Sequence, residues 1–272
     1  MPITHLLVKA WQAFTFTGTL CAVVFRPEVL YRNIGLLVCS HLIAYSGSAI
    51  SLHRYFAHKS FETGRLFQFV LAIWGSLSLQ GGPLFWASRH RHHHKQCDKP
   101  DDAHSPEHHG VYAAHIGWLF EKDIWDDTIY YKFIEDDLLK FPELRLFDIT
   151  SPLPILLLIL IHYYMAGLEG LVVGVVTNFT SFHCMQLVNS VNHMYGYLSE
   201  NIKSKSYACH ARNSIWMFPF QLGENLHSNH HRIGKRYHNM EQWWEFDLMG
   251  YTIQFMGLLG LVWDLKECKI ID

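Results

Sequence analysis

Imidazole side chains recur in this sequence at spacings that a metal ion could use. His90, His93 and His94 stand at i, i+3 and i+4, and His227, His230 and His231 repeat the pattern. At about 100° per residue each triplet falls within one arc of a helix and can face a single site. Asn189 and His193, at i and i+4, share a face in the same way. His53 and His58 are i and i+5, about 140° apart on an ideal helix, which suits a helix end whose last turn unwinds. His92 points away from the arc of its neighbours. Neutral imidazole ligates Fe, Zn, Cu and Ni, and nine candidate imidazoles exceed what one ion of coordination number four to six can take. Two metals are implied.

The remaining histidines carry a plainer reading. His5, His41, His162, His183 and His210 lack partners at ligand spacing, and His183 reads as hydrogen-bonded within a helix bundle. His108 and His109 read as loop residues. His104 and His115 are candidates for supporting positions behind the ligands. Glu224-Asn-Leu-His227 matches the Glu-x-x-His element of soluble di-iron bundles, but those sites need two copies and the chain has no second. Glu224 therefore reads as a carboxylate that orients an imidazole.

The elements that must position these residues are apolar. Of 272 residues, 50% are hydrophobic and 17% charged, below the ~25% charged of soluble domains. A net charge of −2 gives no footing for nucleic acid. Apolar runs at residues 6–25, 34–52, 153–165 and 168–191 predict four transmembrane helices, with a tight turn at Gly167 and Gly170. The stretch 66–86 is broken by Gly75, Gly81, Gly82 and Pro83 and reads as interfacial or re-entrant. The stretch 246–263 reads as a helix lying on the membrane. The fold class expected is an all-α integral membrane protein of one domain, 1–272, whose segments 53–146 and 196–272 form a cytosolic cap over a histidine-rich site. Lys and Arg concentrate in those two segments, which the positive-inside rule assigns to the cytosol. Residues 1–9 do not read as a secretory signal. The six cysteines show no C-x-x-C pair, three of them lie in apolar stretches where they read as small hydrophobes, and the set points to a reducing compartment.

With these boxes read, the chain resembles the membrane fatty acid desaturases of the stearoyl (delta-9) type. The resemblance is carried by His-Arg-Tyr-Phe-Ala-His-Lys-Ser-Phe (53–61), Gln-Gly-Gly-Pro (80–83), His-Arg-x-His-His-Lys (90–95), His-Ile-Gly-Trp (115–118), Leu-Val-Asn-Ser (187–190) with His193, and His-x-x-His-His (227–231). The bacterial branch looks closest, through the Trp-Trp-Glu-Phe-Asp stretch at 243–247 and the short chain. The resemblance implies a four-helix membrane bundle under a cytosolic cap, on the bacterial inner membrane rather than the endoplasmic reticulum. It implies two iron ions held by His53, His58, His90, His93, His94, His193, His227, His230 and His231, with Asn189 holding a metal-bound water. It further implies that the reduced irons use O2 to remove hydrogen from two adjacent methylenes, giving a cis alkene and two waters.

A narrow apolar tunnel, with Trp86 near the second box, must then hold the acyl chain, because methylenes offer no polar handle. Electrons would come from an external donor, a ferredoxin or a cytochrome b5-like protein with its reductase. The acyl carrier would be acyl carrier protein, CoA or a membrane lipid. Eukaryotic acyl-CoA enzymes carry a basic pair after the second box where this chain has Ser105-Pro-Glu-His-His-Gly110, which favours carrier protein or lipid over CoA. A hydroxylase or acetylenase on the same scaffold is the nearest alternative. A zinc-dependent membrane hydrolase or a metal transporter fits less well: the first needs about three ligands and an open position, and the second would put its ligands at the bilayer midplane.

Overall fold

The computed structural model describes residues 2–134, 136–149, 152–199 and 209–267; Cys268 and the side chain of His5 lie outside the description. Among the described residues the chain is helical, with isolated bridges such as Tyr197–Asn213 and no strand. Three helices among the described residues are long and apolar enough to cross a membrane, at Val8–Phe25, Ile34–Ala57 and Leu156–His193. The first lies in α1 (Pro2–Phe25), which stops before Pro27 opens the short α2 (Pro27–Arg32). Phe14, Phe16, Leu20, Val23, Val24 and Phe25 of α1 all point outward. A belt of that kind suits lipid and would be unfavourable in water.

The second apolar helix begins as α3 (Ile34–Ser46) and continues as a π-helical segment, Gly47–Ala57. The first histidine box was expected at an unwinding helix end; it sits instead inside and at the end of this wider helix. The segment is nearly all buried, and its neighbour α4 (Arg65–Ser76) comes very close. A Cβ at Gly75 would fall 2.7 Å from both Leu52 and Ser51, and one at Gly47 would strike the Trp74 carbonyl. Only glycine permits that approach. Within the predicted interfacial stretch, α4 therefore buries Leu71, Ala72 and Gly75 against the π-helical segment and turns Leu66 and Val70 outward.

The loop after α4 leads into α5 (Pro83–Gln96), which carries the second box. Then follow α6 (Pro106–His115), α7 (Asp127–Tyr130) and α8 (Pro142–Ile149). His108 and His109, expected in a loop, lie in the first turn of α6. The third apolar element, α9 (Pro152–Ser190), bends at Ala166 and Gly167, where Gly167 has φ 58°. A Cβ at Gly174 would sit 3.2 Å from the His162 ring, although the two residues would be about 18 Å apart on a straight helix. The element therefore doubles back as a hairpin whose legs match the predicted runs 153–165 and 168–191. The shorter leg, residues 152–165, is about 20 Å long, below the ~30 Å of a hydrocarbon core. The chain closes with α10 (Phe218–Gln221), α11 (His227–Arg232), which carries the last box, and α12 (Leu248–Leu258). α12 buries Met249, Ile253 and Met256 and exposes Tyr251, Phe255 and Leu258.

Two of the cysteines pair across the fold. Cys97 and Cys209 are bonded to each other, 112 positions apart. A search for close cysteine spacings cannot see a pair that only folding brings together. Cys21, Cys39 and Cys184 are free.

Candidate metal centre

The π-helical segment explains the first box. A π-helix bonds each N–H to the carbonyl five residues back, so residues i and i+5 stack on one face. The His58 amide donates to the His53 carbonyl at 3.1 Å, and both rings point the same way. The second box rides on α5, whose N-terminus is held by Asp148. That carboxyl accepts from the Leu84 and Phe85 amides at 3.1 and 2.9 Å and from the Tyr131 hydroxyl, while burial pushes its pKa up to about 7.

The nine predicted imidazoles converge in two groups. His53, His58, His90, His94 and His230 form one, and His93, His193, His227 and His231 the other; within each, the ligand atoms lie within 4.8 Å of one another. In the first, His58 and His90 Nε2 are 2.8 Å apart, His53 and His230 2.9 Å, and His94 is 3.0 Å from both His90 and His230. In the second, Nε2 separations are 3.0 Å for His227–His231, 3.1 Å for His193–His227 and 3.3 Å for His93–His231. Two nitrogens each about 2.1 Å from one ion would be about 3.0 Å apart at a right angle and about 3.4 Å apart at a tetrahedral angle. The observed separations, from 2.8 to 3.3 Å, lie close to the right-angle value.

The donor chemistry fits as well. Opposite the converging Nε2 atoms, several Nδ1 atoms face anions: His53 meets Glu224 at 2.5 Å, His93 meets Asp102 at 2.9 Å and His193 meets Asp98 at 2.9 Å. Each such Nδ1 donates its proton outward, which leaves the Nε2 lone pair aimed inward. Lone pairs gathered at ~3 Å repel one another unless a cation sits between them. Burial, with the neighbouring imidazoles second, holds His58, His90, His94, His227, His230 and His231 well below the ordinary imidazole pKa, so they stay neutral. The carboxyls go the other way. Burial alone would raise Glu224, but His53 and Arg54 outweigh it and bring it to about 2. Asp98, buried but hydrogen-bonded to His193, also comes to about 2. Burial would raise Asp102 too, yet His93 and His104 hold it below the usual carboxylate range.

A further layer fixes these carboxylates. Arg54, fully buried, donates to Glu224 at 2.7 Å, to Asp247 at 2.9 Å and to the Tyr237 carbonyl at 2.9 Å. Asp247 in turn caps α12 by accepting from the Gly250 amide. Sequence reasoning missed Arg54, Asp98, Asp102, Asp247 and Cys209. A signal existed for three of them, since Arg54 lies inside the first box and both Asp98 and Asp102 closely follow the second.

The other candidates divide. His104 packs against the His93 ring at 4.2 Å and lies 3.4 Å from Asp102, and burial pushes its pKa down to about 3. His115 joins neither imidazole group; its ring bonds Ser190 and, at 2.9 Å, His183 of α9. His92 faces Tyr130 and Phe133, away from both groups. Asn189 donates to Gln186 at 3.1 Å and opens on the same cavity as His53, His90, His93 and His227.

That cavity, about 320 Å³, runs from the imidazoles to Val8 and Trp11 of α1. Trp86, stacked on His90 at 4.5 Å, and Trp118, Trp125, Phe85, Phe182 and Met185 supply most of its apolar wall. The four tryptophans are pinned through their indole N–H groups: Trp11 to Asn178, Trp86 to Gln80, Trp118 to Gln186 and Trp125 to the Leu119 carbonyl. Asn178 and Asn189 are about 16 Å apart along α9, so the cavity is long as well as apolar. An unbranched hydrocarbon lying against a metal pair would fit such a shape.

Comparison with known proteins points the same way. Residues 30–246 match the model of a family described as fatty acid desaturase. The chain is 30% identical over 278 residues to an sn-1 stearoyl-lipid 9-desaturase of Synechocystis sp., covering 96% of this chain and 81% of that protein. It is 31% identical over 272 residues to the chloroplastic palmitoyl-monogalactosyldiacylglycerol delta-7 desaturase of Arabidopsis thaliana, covering 95% and 70%. It is also 31% identical over 279 residues to a hex-5-enoyl-[acyl-carrier protein] acetylenase of Moorena producens, covering 94% and 84%.

Proposed function

This chain belongs to the fatty acid desaturase family and is an oxidoreductase, an acyl desaturase, and on that footing we propose that it introduces a cis double bond, delta-9-like, into a saturated acyl chain carried on a membrane lipid. The observation that carries the reading is the long apolar cavity ending on two groups of converging imidazoles. The lipid carrier is supported by relatives whose names specify lipid-linked substrates. The nine histidines would hold two irons, five around one and four around the other, with Asn189 facing the shared cavity through which a metal-bound water would reach it. When bound, the irons supply the O2-dependent oxidation, with electrons from a ferredoxin or a cytochrome b5-like donor.

The chain's own residues do the rest. Glu224, Asp102 and Asp98 fix the proton of their imidazoles on Nδ1, and so fix which lone pair faces the metal. The pinned indoles hold the cavity's contour so that one pair of methylenes lies against the site, and their apolar faces exclude water there. Four membrane crossings, with both termini and the cap in the cytosol, complete the arrangement we infer.

A second reading, acetylenation of an acyl chain on carrier protein, is favoured by one relative of that name. Expression in a desaturase-deficient host, with mass spectrometry of each lipid class and of carrier-bound acyl groups, separates the readings. Loss of two hydrogens from a saturated lipid acyl chain is expected. Loss of two hydrogens only from chains already unsaturated would favour the second reading, and gain of one oxygen would mean a hydroxylase.

A further inference from the structure

Three carboxylates stand behind cage histidines, but His231 has a different partner: its Nδ1 lies 3.2 Å from the sulfur of Cys209. That sulfur is bonded to Cys97, the C-terminal cap residue of α5, the helix that carries His93 and His94. The next residue, Asp98, holds His193 from the same cage. Both cysteines are buried, 6% and 8% exposed, and Cys97, Asp98, His193 and Cys209 offer ligand atoms within 4.8 Å of one another. The disulfide is thus a strap between the end of α5 and the stretch of chain that runs on towards α11, with its Cys209 sulfur against His231 of the four-histidine cage.

We propose that Cys209 is a positioning residue for His231, and that it acts only while bonded to Cys97, so that the four-histidine cage responds to the redox state of this pair. The proposal rests on the reading of that cage as an iron site. With the disulfide formed, the Cys209 sulfur is fixed where it accepts from His231 Nδ1–H, which keeps the ring turned inward. Reduction breaks the S–S bond. A small dithiol gives two electrons and two protons, becomes a disulfide itself, and leaves two thiols on Cys97 and Cys209. The strap is then gone, Cys209 is free to swing, and His231 loses its fixed partner. Loss of an outer partner of this kind lowers metal affinity about 10–100-fold. The effect falls first on the four-histidine cage, whose His231 ring touches the strap directly, whereas His53 of the five-histidine cage is held by Glu224 and Arg54.

The test uses the full-length protein in detergent, loaded with iron without oxygen and dialysed against a weak chelator, before and after treatment with a small dithiol. Thiol alkylation with mass spectrometry counts the Cys97 and Cys209 thiols, and iron analysis with Mössbauer spectroscopy counts and distinguishes the sites. Two newly labelled thiols are expected on reduction, together with loss of one iron signal while the other persists, and recovery of both on reoxidation. Cys97→Ser should hold one iron with or without dithiol, which separates the strap from any direct action of the reagent on iron. Should Cys97 and Cys209 label fully before reduction, or should iron be held equally in both states, the proposal is overturned while the metal reading stands. A chain that takes up no iron in any form overturns both.

Discussion

The cage imidazoles set the pH behaviour of the protein through their burial. In the folded chain His58, His90, His94, His227, His230 and His231 resist protonation, whereas the same side chains in the unfolded chain take up protons near pH 6.5. Below that value the unfolded state binds more protons than the folded one, so stability falls as pH drops. Metal-free protein should therefore show a melting temperature that declines steadily from about pH 7 to pH 5.5. A flat or rising profile would show that these rings are already solvated. Glu224 and Asp98, at about 2, stay ionised throughout this window, while Asp148, pushed up to about 7, takes up its proton in the folded chain first and offsets part of the six imidazoles' decline. Glu224 is tested differently. Glu224→Gln leaves an acceptor beside His53 Nδ1 but removes the charge, and iron titration should show affinity at the five-histidine cage lower by about 10–100-fold. Unchanged affinity would reduce Glu224 to a neutral spacer.

At the scale of elements, what was legible in the sequence followed from α-helical geometry. The triplets at 90–94 and 227–231 are i, i+3, i+4 patterns, and the structure carries both on α-helices with their rings converging. The pair His53 and His58 showed its spacing but not its reason, because a π-helix has no signature in residue type; it forms here where Gly47 and Gly75 let α4 press close. Deleting Ala49 should test that account. One residue fewer would relieve the overwide turn and rotate everything before the deletion by about 100° relative to the box. Either His53 and His58 then separate or the packing against α4 fails, and the protein should lose iron from the five-histidine cage first. Full iron occupancy in this deletion variant would mean the wide helix is incidental. Least legible were the anchors that depend on tertiary folding, such as Arg54 with Asp247 and Cys97 with Cys209, which no local pattern relates.

For the whole molecule, composition alone already separated this chain from soluble proteins, and the outward apolar belt of α1 gives that composition a surface. It did not settle how often the chain crosses the bilayer, because the first leg of the α9 hairpin is short and its sequence carries no mark of depth. Topology can be read by labelling single cysteines in a background without Cys21, Cys39, Cys184 and Cys268. Glu169→Cys, in the hairpin turn, should react with an impermeant reagent from outside intact cells, and Lys99→Cys, beside the second box, only after the membrane is opened. Labelling of both from the same side would require a hairpin that dips into the bilayer and returns.

The indoles around the cavity have a consequence of their own. Since each of the four already spends its N–H on a fixed neighbour, the wall they make has contour without appetite for hydrogen bonds. A guest hydroxyl turned against one of those indole faces would lack a partner there, at the cost of a buried polar group left unpaired, and would be tolerated only opposite Gln12, Gln80, Gln186 or Asn189. Along the indole-lined stretches plain hydrocarbon is therefore favoured by omission, since the wall penalises a decorated chain without needing to recognise the undecorated one.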